Sequence, residues 1–449
     1  MIKRSSFLLF TILTAYMTVA LGQNPLIGNQ FTADPSARVF EGKVYVYPSH
    51  DIVAKPGHGR LGWFCMEDYH VFSSENLTDW TDHGMLISQS RVPWVDSTTY
   101  SMWAPDCIYR NGKYYLYFPA TARPDCINGK GFTVGVAISD KPYGPFVPQS
   151  QPIKNVHGID PNIYIDKDGQ AYLYWAQGNI YAAKLKDNML ELASEPKVLE
   201  GLPDKGLKEG PYLFERQGRY YLTYPHVANK IERLEYAIAE NPMGPFRFAG
   251  VLMDESASGC WTNHQSIIQY HNQWLLFYHD DQLSPHFDKN RSIRADSLFF
   301  NDDGTIREVI PTLRGVGITR ADKEIQIDRY SGISPRGATV DFVDTLKPTL
   351  GWKLTLSEPG SWVSYNRIDM KKNLKKLVLN VMAAGEDVIE VHTQSVNGPL
   401  MAKIQLGASN KWTMIKSRLI RAQSGIQDLF FVLREGRYPV ELDWVRFEK

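Results

Sequence analysis

The chain has 449 residues, balances 49 Lys and Arg against 49 Asp and Glu, and carries 11 Trp, 24 Tyr and 20 Phe. Zero formal net charge with no basic stripe argues against a nucleic-acid partner. The length supports more than one domain, and the aromatic content suits β-structure, core filling and stacking on sugar faces.

Lys3 and Arg4 precede an apolar run from Phe7 to about Leu21, and Ala20-Leu21-Gly22 supplies small residues before Gln23. Residues 1–22 therefore read as a signal peptide cut before Gln23, which predicts a periplasmic or secreted mature chain. No cysteine follows that run closely, which argues against a lipoprotein anchor. No second stretch of about 18 apolar residues occurs, so no membrane span is expected. Cys65, Cys107, Cys126 and Cys260 permit two disulfides in any of the three connectivities that four cysteines allow. None forms a CxxC, so the cysteines carry no zinc motif.

Five segments then share one pattern, a short anchor and an apolar strand, a turn, and an aromatic strand. They are DPSARVFEGKVYVY from Asp34, APDCIYRNGKYYLYF from Ala104, DPNIYIDKDGQAYLYW from Asp160, GPYLFERQGRYYLTY from Gly210 and HQSIIQYHNQWLLFY from His264. NGK, KDG and QG between alternating strands predict β-hairpins, because the tight connection requires positive φ. Gly131–Phe146 and Arg233–Phe246 add further strands and share a GPF ending. Four strands recurring roughly every 50 to 70 residues predict the blades of a β-propeller, five of them within residues 23–320. Beyond Thr319 the hairpin repeat stops. Short alternating strands such as KLVLNVMAA, VIEVHTQS and DLFFVLRE then predict a β-sandwich of the jelly-roll type over residues 325–449. The fold class is all-β throughout.

The innermost strand of a propeller blade lines the central channel, so the anchors point to the axis. Asp34, Asp160 and Glu209 stand at or beside the anchor in three repeats, Asp106 lies two residues into a fourth, and His264 occupies the fifth. One Asp before Pro is a turn former. Gathering several carboxylates at one channel mouth costs free energy through like-charge repulsion, and glycoside cleavage is a chemistry that uses such a group. One carboxyl protonates the leaving oxygen while another activates water or attacks carbon, and crowding raises the pKa of the acid.

The set Asp34-Pro35, Trp103-Ala104-Pro105-Asp106, Ile159-Asp160-Pro161 and Glu209-Gly210-Pro211, with SIRADSLFFNDDGTI from Ser292, resembles glycoside hydrolase family 43. The resemblance covers residues 30 to 320. It implies a five-bladed propeller and an inverting mechanism with no cofactor required for the chemistry. Asp34 is then the general base, Glu209 the general acid, and Asp160 the residue that raises and orients Glu209. His264 either holds an ion or water beneath the active site or is a satisfied core histidine. Trp103 stacks on sugar or packs between blades, and Asp106 is a substrate-binding candidate that forms hydrogen bonds at the channel rim without joining the chemistry. Arg291 and Arg294 reach substrate hydroxyls or pair with charges across strands. The loops Asp51–Asp68 and Arg123–Gly131 add Asp51, Trp63 and Asp125 as possible sugar contacts, with His50 just before the first.

The C-terminal segments GSWVSYNRIDM, GIQDLFFVLREG and VELDWVRFEK resemble a family 6 carbohydrate-binding module. Its opening strand, matched by IQIDRYSGIS, carries a structural calcium in that family, which makes Gln326, Asp328 and Asp443 ligand candidates through hard oxygen donors. The family's sugar-contacting Asn is replaced by Glu441, which leaves Trp412 and Tyr365 as a stacking platform. The module either binds glycan or buttresses the propeller.

These readings predict a glycosidase acting on plant-type polysaccharide or oligosaccharide, an α-L-arabinofuranosidase or β-D-xylosidase first. A galactan- or galactofuranoside-cleaving enzyme, a retaining relative with Asp34 as nucleophile, and a non-catalytic lectin are the alternatives.

Overall fold

A computed structural model describes residues 24–421 and 423–449. The expected signal peptide lies outside them. Blade one consists of β1 (Phe31–Phe40), β2 (Lys43–Asp51), β3 (Asp68–Ser74) and β4 (Thr81–Ser88), antiparallel in that order. Sheets beginning at Asp106, Ile159 and Tyr212 repeat the four-strand order, and Ser266–Tyr270, Gln273–Asp280 and Ser292–Leu298 form the fifth. The first strands of the five sheets neighbour one another in a closed ring.

Local chemistry explains the hairpins. Glu41-Gly42, Asn111-Gly112, Gln217-Gly218 and His271-Asn272 all hold φ between 46° and 81°, the left-handed pair that a two-residue turn with the right twist demands.

The aromatic strands join blade to blade. The buried hydroxyl of Tyr47 donates to Pro142 O at 2.6 Å, Tyr117 to Met189 O at 2.6 Å, Tyr174 to Pro242 O at 2.7 Å and Tyr221 to Gly304 O at 2.8 Å. Tyr270 returns to blade one at Glu75 O, 2.7 Å away. Each phenol thus fills an inter-blade core with its ring and satisfies its one polar atom on the next blade. The ring is closed by the N-terminal segment. Leu26 N–H donates to Ile293 O and Thr32 N–H to Arg291 O, both at 2.8 Å, while the Asn24 side chain exchanges two hydrogen bonds with the Ala295 backbone.

The C-terminal region is a sandwich of two six-stranded sheets over a core of Leu, Ile, Val and Phe that includes Leu379, Ile389, Phe431 and Leu442. It begins earlier than residue 325: Thr319–Arg320 already pairs in parallel with Ile368–Asp369. Arg329 anchors it to the propeller by donating to Asn24 O at 2.9 Å. The four cysteines are buried free thiols, so the permitted disulfides are not formed. Among the described residues no helix is long and apolar enough to cross a membrane.

Candidate active site

At the axis the anchors leave regular strand geometry. Asp34, Asp160 and Gly210 each precede a proline and hold φ of 48°, 57° and 49°, and the register of β1 shifts between Ala33 and Ser36. Such left-handed residues are strained for any side chain but glycine and turn the carboxylates out of the pleat. Gly210 has no alternative, because a Cβ there would stand 2.8 Å from the Pro225 ring. The result is a cavity of about 230 Å³ lined by Asp34, Asp160, Glu209, Glu232, His264 and Arg291. Its wall is aromatic. Trp63 lies 6.3 Å from Trp261, and Phe64 packs against both Trp261 and Trp103.

The carboxyl groups differ in charge because their partners differ. Burial opposes ionisation of Asp34, yet the Arg291 charge, with Nη1 at 2.9 Å, and the hydrogen bond from Ser49 Oγ at 2.6 Å hold it at about 2. Arg291 is fixed from its other side by Asp51, which accepts from Nε and Nη2 at 3.0 Å each. His279 is buried and depressed to about 3 by burial and Arg291. Neutral, it accepts the Asp34 N–H on Nδ1 at 3.1 Å and donates from Nε2 to Thr262 O at 3.1 Å. Burial likewise lowers His264, leaving it neutral at the cavity wall.

Asp160 and Glu209 behave oppositely to Asp34. Burial and the Glu209 charge push Asp160 well above the carboxylate range, against one hydrogen bond from Gly210 N–H at 2.9 Å. Burial and Glu232 push Glu209 well above its usual value, and a hydrogen bond joins the two carboxyl groups. Two carboxylates cannot share a hydrogen bond without a proton, so one of the pair is protonated. Glu232 itself is raised by burial to about 7, and its Oε2 accepts Asn263 N–H at 2.6 Å.

Glu232, His279 and the Asp51–Arg291 pairing extend the set read from the sequence. Glu232 sits in an alternating strand where a polar residue reads as solvent-facing, and His279 ends an aromatic strand.

Trp103 lines the cavity, packing on Phe132 of its own blade at 4.6 Å and on Phe64 at 6.2 Å. Trp63 is at the cavity, whereas Asp125 is exposed and ion-paired with Arg123. Asp106 is corrected. It is buried off the cavity, accepting from Ser36 Oγ at 2.5 Å, Arg38 Nε at 3.0 Å, Asn162 Nδ2 at 3.0 Å and Ile163 N–H at 2.7 Å. Its lone pairs are spent on tying blades one, two and three together. Arg294 takes its charge-pairing alternative, lying 3.6 Å from Asp280 on the neighbouring strand and donating to Gln282 Oε1 at 2.7 Å.

In the sandwich, Gln326 pairs with Trp444, and Ile327 N–H donates to Asp443 O at 3.0 Å. Asp328 is fully buried. Its Oδ2 accepts from Arg329, its Oδ1 is buried with no hydrogen-bond partner, and burial with the nearby Asp443 raises it to about 6 despite Arg329. An orphaned carboxylate oxygen beside a second acid fits a hard cation. Tyr365 is corrected: it is 1% exposed, with its hydroxyl on Gln326 O, and cannot present a face to sugar.

Residues 23–306 match the family described as Glycosyl hydrolases family 43, and residues 335–449 match Carbohydrate binding module (family 6). The chain is 35% identical over 331 residues to the Xylosidase/arabinosidase 43A of Humicola insolens, covering 63% of this chain and 98% of that one. Among solved structures it is similar to a GH43 β-xylosidase/α-arabinofuranosidase from a compost microbial metagenome, in complex with xylotriose and calcium-free. That likeness has 34% identity and TM-score 0.56, and covers 64% of this chain and 97% of the other. An arabinoxylan arabinofuranohydrolase structure from Bacillus subtilis, at 22% identity and TM-score 0.56, shares the fold over 96% of this chain and 99% of its own. Because the family match over residues 23–306 spans the propeller and its axial carboxyl groups, the chain belongs to glycosyl hydrolases family 43.

Proposed function

We propose that the chain is an inverting, exo-acting β-D-xylosidase or α-L-arabinofuranosidase that works on hemicellulose-derived oligosaccharides and side chains. One observation carries this reading. An ionised Asp34, held by Arg291, and a proton-bearing Glu209–Glu232 pair line the same small aromatic-walled cavity. At about 230 Å³ the space is below the usual range for drug-sized ligands and suits a single terminal sugar.

In the proposed step Glu209 gives its proton to the glycosidic oxygen as the C1–O bond breaks. A water attacks C1 from the opposite face and passes its proton to Asp34. Glu232 accepts the Glu209 hydrogen bond at rest and keeps that proton in place, while Asp160 fixes the Glu209-Gly210 backbone by accepting Gly210 N–H at 2.9 Å. The developing oxocarbenium charge faces the ionised Asp34. No cofactor enters the chemistry. A second groove of about 340 Å³, lined by Phe132, His157, Gln177 and Lys208, shares Glu209 and Leu207 with the cavity. It therefore lies on the leaving-group side and is suited to the rest of the oligosaccharide.

Asp328 and Asp443, with Gln326, would hold a structural calcium in the sandwich, supported by the unpartnered Asp328 Oδ1. The apolar leader at residues 1–22 supports export.

The test is turnover of aryl β-xyloside, α-arabinofuranoside and β-galactofuranoside, with the anomer of the first product read by NMR. Release of an inverted xylose or arabinose from chain ends supports the reading. A retained anomer, preferred galactofuranoside cleavage, or binding without turnover that persists in Glu209→Gln would replace it with one of the alternatives.

A further inference from the structure

Blade one carries a second cluster of chemistry-bearing side chains, which the hydrolytic reading does not use. The Ser49–Tyr69 pair of β2 and β3 places His50 across from Asp68, and His70 follows two residues on along β3. Residues two apart on a strand share a face, so Asp68 and His70 project together toward a histidine of the next strand. One ligand atom from each of the three lies within 4.8 Å of the others. His50 Nδ1 is 2.7 Å from Asp68 Oδ1, and the two imidazole centroids are 5.1 Å apart at 63°. The side chains are 21%, 18% and 19% exposed, enough for an ion to enter and keep a water.

An outer layer is also built. Asp82 on β4 faces His70 Nδ1 at 3.2 Å. A carboxylate only accepts, so that nitrogen carries the proton and the Nε2 lone pair is left for a ligand bond. Asp82 itself accepts from Gly84 N–H at 2.7 Å and from Gln30 Nε2 at 3.0 Å. A carboxylate behind a ligating imidazole is the arrangement that fixes tautomer and ring orientation in metal sites.

We propose that His50, Asp68 and His70 form a site for Zn2+ or a divalent ion of similar softness, with Asp82 as the outer carboxylate. Two imidazoles and one carboxylate favour such ions over calcium or magnesium, which take oxygen donors. The ion replaces the proton between His50 Nδ1 and Asp68 Oδ1. One metal–nitrogen and one metal–oxygen bond form, the proton leaves to solvent, and the pair opens from 2.7 Å to about 3.4 Å, the ligand separation around tetrahedral zinc. His70 supplies the third bond and water the fourth. The bound ion ties β2 to β3 beside Asp51, whose carboxylate holds Arg291, and so braces that end of the strand.

The experiment titrates metal-stripped full-length protein with ZnCl2 by calorimetry and with CoCl2 by visible absorption. One ion per chain and the intense bands of tetrahedral cobalt are expected, with a raised unfolding midpoint. His70→Gln and Asp68→Asn should weaken binding at least tenfold, and Asp82→Asn about 10–100-fold. His70→Cys should keep the ion and add a thiolate-to-cobalt charge-transfer band, which a hydrogen-bonding role alone would not produce. Unfolding curves and aryl-glycoside hydrolysis show that the variants are folded. Zinc affinity and stoichiometry unchanged in His70→Gln, or no ion held at micromolar concentration by the parent chain, would overturn the site.

Discussion

Around the propeller axis the chain buries Asp34, Asp51, Asp160, Glu209, Glu232, Arg291 and two histidines, whereas the sandwich fills its interior with Leu379, Ile389, Phe431, Leu442 and their like. In the sandwich burial and stability point the same way, since each apolar side chain gains by leaving water. At the axis they oppose each other. Desolvation and like-charge repulsion push Asp160, Glu209 and Glu232 upward, and only Asp34, tied to Arg291, stays far below. The tyrosine ring between blades and the Asp106 clamp lend the propeller the rigidity to hold that arrangement. The comparison teaches that the site is an electrostatic cost carried by its surroundings, and that buried Asp328 and Asp387 are places where the sandwich accepts a similar cost.

Four changes break or sharpen this contrast. Replacing Glu209→Gln should lower kcat about 10²–10⁴-fold while leaving KM within a few-fold and the unfolding midpoint unreduced, since the change removes a proton donor but no packing. Steady-state kinetics with thermal unfolding checks both. Asp106→Ala should act the other way. It strands buried Arg38 without its carboxylate and should cost about 3–5 kcal/mol in denaturant unfolding, with activity falling only as the propeller unfolds. Leu379→Ala in the sandwich should cost about 2–5 kcal/mol and leave aryl-glycoside turnover at room temperature unchanged. Loss of turnover in the folded variant would show that the two regions are coupled.

Glu232→Gln should give the smallest and most diagnostic effect. Because folding raises Glu232 to about 7, the folded state loses stability as pH rises from the unfolded carboxyl range through that value. The variant should therefore gain roughly 1–3 kcal/mol over the parent at pH 8 relative to pH 5. Without the Glu232 charge, Glu209 gives up its proton more easily, so the alkaline limb of kcat/KM should move down by about a pH unit. An unmoved limb would leave Asp160 as the group that tunes the acid.

Much of this was legible in the chain. Glu41-Gly42, Asn111-Gly112 and Gln217-Gly218 announce their turns because the glycine at the second position takes positive φ without steric cost. Asp34, Asp160 and Glu209 stand out because repeat-matched anchors must converge on an axis. Less legible was Asp106, which lies just past the anchor of its repeat and spends its oxygens on Arg38, Asn162 and Ile163. Tyr365 looked like a sugar platform, since alternation marks the two faces of a strand without saying which one meets the core.

Local sequence by itself determined the blades, the sandwich and the three anchoring carboxyl groups, because turn chemistry and strand periodicity act over a few residues. Tertiary structure alone decided that Glu232 meets Glu209, that Arg291 is shared between Asp34 and Asp51, that the cysteines stay apart, and that His50 faces Asp68 and His70. Those pairings depend on which strands lie side by side and in what register, and so on distances between residues far apart in the chain.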